Sequence, residues 1–445
     1  MLSSHPPADP SYAVRDTPED ITFAVELKFI LRQDLKHVFS EYGIVREFIP
    51  HRPVELRDSM TEPEIRLQRD NWEAVARAID ALSGVNAAAS HEHQAQRRDF
   101  WKTHWMVYKA NSACPPYMTY FQDDPDRPVL DSDDPEWKKF VWTPVEICSP
   151  ILYWTQKAEA LDTLTRVIAA VNKQFDIVAN ASTECHVHVG RSDGRFYSLK
   201  TLKRLATLLW LSEPLLRALK DPTSPNYDHH YTWSYPWREN SRIAMALNRT
   251  LPDQRIIDDL YSGKANDFDA FLLSLSEARI TCDDENYTVL EEHCQALRAI
   301  WRASDHHELG QMLRGPDQKH RRLGFNFHAL EADAAGESIP RTIEFRFLEG
   351  FFDGKIVPAW VRLCAELIDI STEKDAESVE NDWDFYDAVA LLLKLPQEWP
   401  LDAQFSAFMD ELGQDRVPQR VRDPLEAIIR KHYPSQNINL ENTVQ

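Results

Sequence analysis

Four short segments of the sequence place ionisable side chains at every second position between apolar residues. The ionisable residues are Glu26 and Lys28, Glu146, His186 and His188, and Glu344 and Arg346. Because side chains alternate between the two faces of a β-strand, each segment would project these groups from a single face. Carboxylates and imidazoles are suitable ligands for Mg²⁺ or Mn²⁺, and a guanidinium binds phosphate or a developing oxyanion. The pattern indicates a site for a divalent cation beside an anionic ligand.

Each of these segments has a simpler interpretation when it is taken alone. One face of an antiparallel sheet often meets water, and Glu344 and Arg346 could be an ordinary surface pair there. The two histidines could be a zinc or iron site of a cupin-type barrel, or a hydrogen-bonded structural pair. A cupin normally supplies a glutamate a few residues later, whereas residues 190–193 here are Gly-Arg-Ser-Asp. Four such segments in one chain favour a shared site.

The elements that must position these groups follow from hydrophobic periodicity. Alternation or short apolar runs predict strands at residues 21–31, 105–108, 141–151, 185–190, 323–330 and 342–347. Helical spacing predicts helices at residues 66–82, 156–175, 199–219, 287–302 and 358–370. The strands occur in small groups between long helices and loops, which favours an α+β fold with a mainly antiparallel sheet.

Glycine is scarce, at 12 of 445 residues, and the glycine motifs of nucleotide-binding and hydrolase folds are missing from the sequence. Without GxGxxG, GxxxxGK[ST] or GxSxG, Rossmann, P-loop and α/β-hydrolase folds are disfavoured.

We divide the chain into a disordered polar tail at 1–20, a catalytic domain at 21–371 and a helical C-terminal extension at 372–445. An acidic loop at 123–136 and an aromatic segment at 227–237 are either covers for the site or, as their composition favours, ordinary surface loops.

Composition and charge limit the classes of partner. The chain is 43% hydrophobic and 27% charged, as in ordinary globular proteins, and its formal charge is -21. So acidic a surface repels nucleic acid and anionic membranes, and we expect neither as a general partner. Residues 1–20 contain no apolar signal segment, and six scattered cysteines form no C-x-x-C pair. We expect a cytoplasmic protein with reduced thiols.

The order of these segments resembles the amidoligase family, which is related to glutamine synthetase and glutamate–cysteine ligase. The corresponding segments are residues 24–28 for the family pattern Gly-x-Glu-x-Glu, 145–150 for Val-Glu-Ile-x-Ser-Pro, 184–190 for His-x-His-x-Gly, and 342–346 for Thr-Ile-Glu-Phe-Arg, followed by Glu349-Gly350 and Asp353. The helix predicted from residue 199 also looks like the family's. The resemblance extends over about residues 20 to 370.

The resemblance implies a glutamine-synthetase-like catalytic fold, in which helices pack on the outer side of a curved antiparallel sheet. It also implies ATP and a divalent metal, Mg²⁺ or Mn²⁺. By this analogy the candidate metal ligands are Glu26, Glu146, His186 and Glu344. His188 is a candidate metal or phosphate contact, Arg346 a candidate clamp for the γ-phosphate or an acyl phosphate, and Glu349 a further catalytic acid.

The sequence departs from the family pattern at three positions. Ala24 replaces the glycine of the first segment, and Asn111 stands near Ser112 where relatives tend to carry an aspartate. Lys28 replaces the second acid, which removes a metal ligand and adds a positive charge. Lys28 could bind phosphate and stand in for one metal ion, as a catalytic and ATP-binding residue. It could equally mark a weakened enzyme.

The resulting hypothesis is an ATP-dependent carbon–nitrogen ligase that forms an amide through an acyl phosphate. Its substrates would be an amine and a carboxylate, the latter a small molecule or a peptide. The sequence identifies neither substrate and does not indicate the oligomeric state. The alternative is an inactive or weakened relative that keeps the fold as a binding or regulatory protein. A third option is a zinc- or iron-dependent hydrolase built on the histidines, which would need no ATP.

Overall fold

The fold was determined from a computed structural model of the chain. It describes residues 16–42, 61–91, 98–113, 139–180, 182–220, 236–248, 266–277, 284–315, 323–330, 341–372, 384–394 and 417–432. The acidic segment 123–136 and most of the aromatic segment 227–237 lie outside these ranges, so their predicted role as covers stays a prediction.

Within the described ranges, the centre of the fold is an open sheet. Its strands are β1 (Ile21–Asp34), β2 (Ala87–Ala89), β3 (Trp105–Tyr108), β4 (Phe140–Cys148), β5 (Leu152–Tyr153), β6 (Ile177–Val178), β7 (Cys185–Arg191), β8 (Phe325–Asn326) and β9 (Thr342–Phe345). The order is β2-β3-β4-β1-β7-β9-β8, and β5 and β6 also pair with β1. Only the pairing of β2 with β3 is parallel in this sheet. The prediction of an α+β fold with a mainly antiparallel sheet is confirmed.

Helices pack around this sheet, most of them in the described ranges against its apolar face. They are α1 (Leu35–Tyr42), α2 (Glu62–Asp80), α3 (Arg98–Trp101), α4 (Lys157–Gln174), α5 (Leu199–Leu216), α6 (Trp237–Asn240), α7 (Arg242–Leu247), α8 (Asn266–Glu277), α9 (Asp284–Arg302), α10 (His306–Leu313), α11 (Ile356–Ser371), α12 (Phe385–Lys394) and α13 (Gln419–His432). Three 3₁₀ turns add to them, at Pro18–Asp20, Trp154–Gln156 and Arg217–Leu219. No helix in the described ranges has both the length and the apolar composition needed to cross a bilayer.

The strands that carry the ionisable groups are long and central because their alternate residues fill the core. Val25 and Leu27 of β1 and Val187 of β7 are at most 1% exposed. They share one hydrophobic core with Leu205 of α5 and Trp360 of α11. Burial of each such aliphatic side chain contributes about 1.5–3 kcal/mol, so the apolar face is fixed against the helices. Strand alternation then turns the ionisable groups to the opposite face.

Both ends of the described chain are tied to this core. Asp16 forms an ion pair with Arg191 at the end of β7 and accepts a hydrogen bond from the backbone N–H of Ser198 at 2.7 Å. Residues 16–20, which the sequence assigns to the polar tail, are thus held beside the start of α5. In the C-terminal extension, Phe385 of α12 and Ile428 of α13 belong to the same hydrophobic core as the sheet.

Two predicted strands are shorter than the sequence indicates. The apolar run at 323–330 pairs only at Phe325–Asn326, and the last strand ends at Phe345. Apolar residues continue beyond both ends because Phe327 and Phe347 still point into the core, at 0% and 2% exposure. Hydrophobicity alone therefore overestimates how far strand pairing extends.

Candidate active site

Strand register brings the predicted residues onto one face of the sheet. On β1, Glu26 lies directly opposite His186 of β7, and Lys28 lies opposite Glu146 of β4. Directly opposed residues in antiparallel strands share a face, with Cβ atoms about 5 Å apart. Glu184 precedes β7 and joins this face, since its carbonyl accepts a hydrogen bond from the backbone N–H of Lys28 at 3.1 Å. The residues that define the polar face are Tyr108, Glu146, Cys148, Glu26, Lys28, Glu184, His186, His188, Glu344 and Asn326.

The two histidines join the acids of β1 and β9. His186 Nδ1 lies 3.0 Å from Glu26 Oε2 and 3.3 Å from Glu344 Oε1. His188 Nε2 lies 3.2 Å from Glu26 Oε1 and 3.7 Å from Glu344 Oε1, and its Nδ1 lies 3.1 Å from Thr342 Oγ1. The imidazoles therefore link two carboxylates that are more than 300 positions apart in sequence.

Arg346 follows the end of β9 and turns back toward the polar face. Its Nη1 donates to Glu344 Oε1 at 2.6 Å, while Asn326 Nδ2 donates to Glu344 Oε2 at 2.7 Å. Its backbone N–H is anchored on the carbonyl of Gly324 at 2.8 Å. The guanidinium is therefore held beside Glu344, where it can meet an anion bound over this face.

Glu184 is a central acid of the polar face that the sequence patterns do not single out. Its Oε2 accepts a hydrogen bond from Lys28 Nζ at 2.8 Å and lies 3.2 Å from His186 Nε2. Ser112 Oγ also reaches this oxygen, at 3.3 Å, and Arg346 Nη2 lies 3.4 Å from Oε1. One signal was present in the sequence, because Glu184 stands two residues before His186 and alternation places it on the same face.

The β3 and β4 side of the polar face carries a thiol. Tyr108 lies opposite Glu146, and its hydroxyl is 3.2 Å from Cys148 Sγ. Cys148 in turn lies opposite Glu26. In the nearby segment after β3, the buried Ser112 reaches the site, whereas Asn111 is exposed.

The acids nearest the histidines are held ionised. Burial would raise the pKa of Glu26, but the charge of His188 and hydrogen bonds from both histidines outweigh it and leave this pKa well below its usual range. Burial likewise opposes the fall in the pKa of Glu344, which the charges of Arg346 and His188 bring to about 2. Both carboxylates are therefore ready to bind a cation without losing a proton.

Glu146 behaves differently from these acids. Burial raises the pKa of Glu146 to about 7, and the neighbouring charge of Lys28 only partly opposes this rise. The pKa of Glu184 is well below its usual range, because the charges of His186, Arg346 and Lys28 outweigh its burial. The polar face thus holds three firmly ionised carboxylates and one that gains a proton near neutral pH.

Two sets of three donors on the polar face could hold a cation. One is Glu26, His188 and Glu344, and the other is Glu26, Glu146 and Cys148; the donor atoms within each set lie within 4.8 Å of one another. Burial would lower the pKa of His188, but the charge of Glu26 and a hydrogen bond to it raise this pKa to about 9, so the imidazole must lose a proton when a cation binds. The first set then offers two ionised carboxylates and a neutral imidazole, which suit Mg²⁺ or Mn²⁺. His186, predicted as a ligand, is in neither set. It is 1% exposed and lies between Glu26 and Glu184, where it orients the carboxylate of Glu26.

Glu349 lies next to the polar face rather than on a strand of it. It faces Glu184 in an isolated antiparallel bridge. Its charge also acts on Lys220, whose pKa burial lowers to about 8. The structure thus brings Glu26, Lys28, Glu146, the two histidines, Glu344 and Arg346 together, and leaves Glu349 at their border.

A family model with the description "putative amidoligase enzyme" matches residues 64–368, more than half of the chain. The matched range holds β4, β7 and β9 with their polar-face residues, and it starts after β1, which carries Glu26 and Lys28. No curated protein and no solved structure matches the chain.

Proposed function

The chain belongs to the amidoligase family, and from this premise we propose that it is an ATP-dependent carbon–nitrogen ligase that joins a carboxylate to an amine. The observation that carries the proposal is the triplet of Glu26, His188 and Glu344 beside the guanidinium of Arg346. A cation site next to a fixed positive group is what binding and transfer of a phosphoryl group require. The mainly antiparallel sheet, with helices on its apolar face, supports a glutamine-synthetase-like arrangement.

In this proposal Glu26, His188 and Glu344 hold Mg²⁺ or Mn²⁺, for which their donor set is suited. When bound, such a cation neutralises phosphate charge and helps to align ATP. Arg346 contacts the transferred phosphoryl group, because its guanidinium is directed to the same place by Glu344 and Glu184. His186 keeps the carboxylate of Glu26 in position.

The proposed reaction has two steps. A substrate carboxylate attacks the γ-phosphorus of ATP, ADP leaves, and an acyl phosphate forms. An amine then attacks the acyl carbon, phosphate leaves, and the nitrogen loses a proton. The acyl phosphate must be shielded from water, because it would otherwise hydrolyse. Of the residues that surround the site, Lys28, Glu146 and Arg346 are each less than 10% exposed, which supports a largely water-excluded floor.

The first test of this function is ligand-dependent stability. ATP with Mg²⁺ should raise the melting temperature of the protein, because a ligand that binds only the folded state stabilises it. Glu344→Gln should lose most of this shift, whereas Glu159→Gln, at an exposed position on α4, should keep it. A shift that is equal in both variants would remove Glu344 from the site.

The second test separates a ligase from its alternatives. The protein is incubated with ATP, Mg²⁺ and pooled amino acids, and amide products and phosphate are measured by mass spectrometry and a phosphate assay. Amide formation that requires ATP supports the ligase. A stability shift with ATP–Mg²⁺ but no phosphate release would identify a non-catalytic relative, and hydrolysis that needs zinc or iron but no ATP would identify a hydrolase.

A further inference from the structure

Lys28 provides a buried positive charge among carboxylates. Its ammonium donates to Glu184 Oε2 at 2.8 Å, and the residue is 8% exposed. On the neighbouring strand it lies opposite Glu146, whose carboxyl group feels its charge. A buried lysine in such a place is stable only when it is paired, and Glu184 supplies the pair.

The oxygens of Glu184 are already engaged within the protein. Lys28, Ser112 and His186 approach Oε2, and Arg346 approaches Oε1. Glu184 accordingly belongs to neither set of three cation donors in the described part of the chain. Its role is to fix cationic side chains, and Lys28 is the nearest of them.

The two donor sets share Glu26 and differ in what lies beside them. The set with His188 and Glu344 lies toward β9, whereas the set with Glu146 and Cys148 lies toward β4. Lys28 adjoins the second set, because it lies opposite Glu146 in the β1–β4 register. A divalent cation bound there would lie close to a fixed ammonium, and like charges at such separations repel strongly in a buried site.

We propose that the ammonium of Lys28, anchored by Glu184, occupies the place of a second divalent cation on the Glu146 side of Glu26. The protein then loads one divalent cation per chain, on Glu26, His188 and Glu344. This role of Lys28 rests on the proposed function, because it takes that triplet as the site of the resident cation. A compact ammonium supplies one fixed positive charge to a bound phosphate without needing a metal ion at that point.

The test measures the number of cations bound per chain rather than catalytic turnover. Each protein is dialysed against Mn²⁺, bound manganese is measured by mass spectrometry of the metal, and the electron paramagnetic resonance spectrum is recorded. We expect one Mn²⁺ per chain in the wild type, with the spectrum of an isolated ion. Lys28→Glu should bind two, with a spin-coupled spectrum, since paired metal sites lie about 3.5–4 Å apart.

Two further variants make the count decisive. Lys28→Met removes the charge without adding a ligand, so it should also gain a second Mn²⁺, bound more weakly than in Lys28→Glu by roughly tenfold or more. Lys102→Glu changes the net charge by the same amount as Lys28→Glu, but at an exposed position, and it should keep one Mn²⁺. Lys28→Met also serves as the test if Lys28→Glu does not fold.

The outcomes separate the inference from the function on which it rests. Two Mn²⁺ in the wild type, or one in both Lys28 variants, would overturn the role of Lys28 and leave the proposed ligase standing. No Mn²⁺ in the wild type would overturn both the cation triplet and this inference. The expected result is one bound Mn²⁺ in the wild type, none in Glu344→Gln and two in Lys28→Glu.

Discussion

Gly350 is packed so closely against Thr183 that a single methyl group should destabilise the protein. Its backbone N–H donates to the carbonyl of Thr183 at 2.9 Å. A Cβ at position 350 would lie 2.1 Å from Thr183 Oγ1 and 2.6 Å from its carbonyl carbon. Thr183 cannot turn away freely, because its hydroxyl donates to the carbonyl of Asn180 at 2.7 Å and accepts from the Asn180 N–H at 3.0 Å.

The size of the effect follows from these distances. Carbon atoms pack best at about 3.5–4.0 Å, so Gly350→Ala requires the backbone at Thr183 to move by roughly 1 Å. Overpacking of this kind costs about 1–3 kcal/mol, and each hydrogen bond of Thr183 that breaks costs about 1 kcal/mol more. We expect the free energy of unfolding to fall by about 3 kcal/mol. Because Glu184 follows Thr183, its contact with Lys28 should be disturbed as well.

Urea denaturation followed by circular dichroism measures this change. Gly354→Ala is the matched control, because its added Cβ would meet nothing nearer than Thr165 Cγ2 at 3.4 Å. The control should change the free energy of unfolding by less than about 1 kcal/mol. Equal unfolding midpoints for Gly350→Ala and the wild type would refute the close contact between Gly350, which follows β9, and Thr183, which precedes β7.

Three further predictions concern buried groups. Glu184→Gln should lower the free energy of unfolding by about 3 kcal/mol in urea denaturation, since Lys28 and Arg346 lose a buried counter-charge; no loss would contradict their pairing. Burial lowers the pKa of Lys220 from 10.5 to about 8. As pH falls from about 10.5 to 8, the unfolded chain therefore takes up a proton that the folded protein does not, and stability falls by up to about 3 kcal/mol; Lys220→Met should lack this dependence when unfolding is measured across that range. Of the four cysteines in the described ranges, the half-buried Cys294 should react with iodoacetamide first, as peptide mass spectrometry would show, because the others are buried.

The sequence predicts the polar face well because its signal is local. Alternation around Glu26, Glu146, His186 and Glu344 requires only that each segment be a strand, and apolar neighbours make that choice clear. The class of fold follows for the same reason, since strand groups between amphipathic helices are visible along the chain. Strand order is not local, and the register that sets Glu26 against His186 comes only from the folded sheet.

The choice between the two histidines also needs the fold. In the sequence His186 and His188 are equivalent, one strand period apart. In the sheet His186 lies opposite Glu26 and is enclosed between two acids, whereas His188 lies opposite Glu344 and joins the cation triplet. A difference of one strand period thus separates a histidine that positions the carboxylate of Glu26 from one that belongs to the proposed cation site.

Lys28 shows most clearly what the fold adds. In the sequence, a lysine at an expected acid could be either a phosphate contact or a lost metal ligand. A ligand lost by drift would leave its ammonium buried without a partner, which is costly. Instead Glu184, 156 positions away, meets it at 2.8 Å and also holds Arg346. Glu184 therefore supplies a buried counter-charge to Lys28 as well as to Arg346, and this arrangement favours a positive charge that the site uses over one that it merely tolerates.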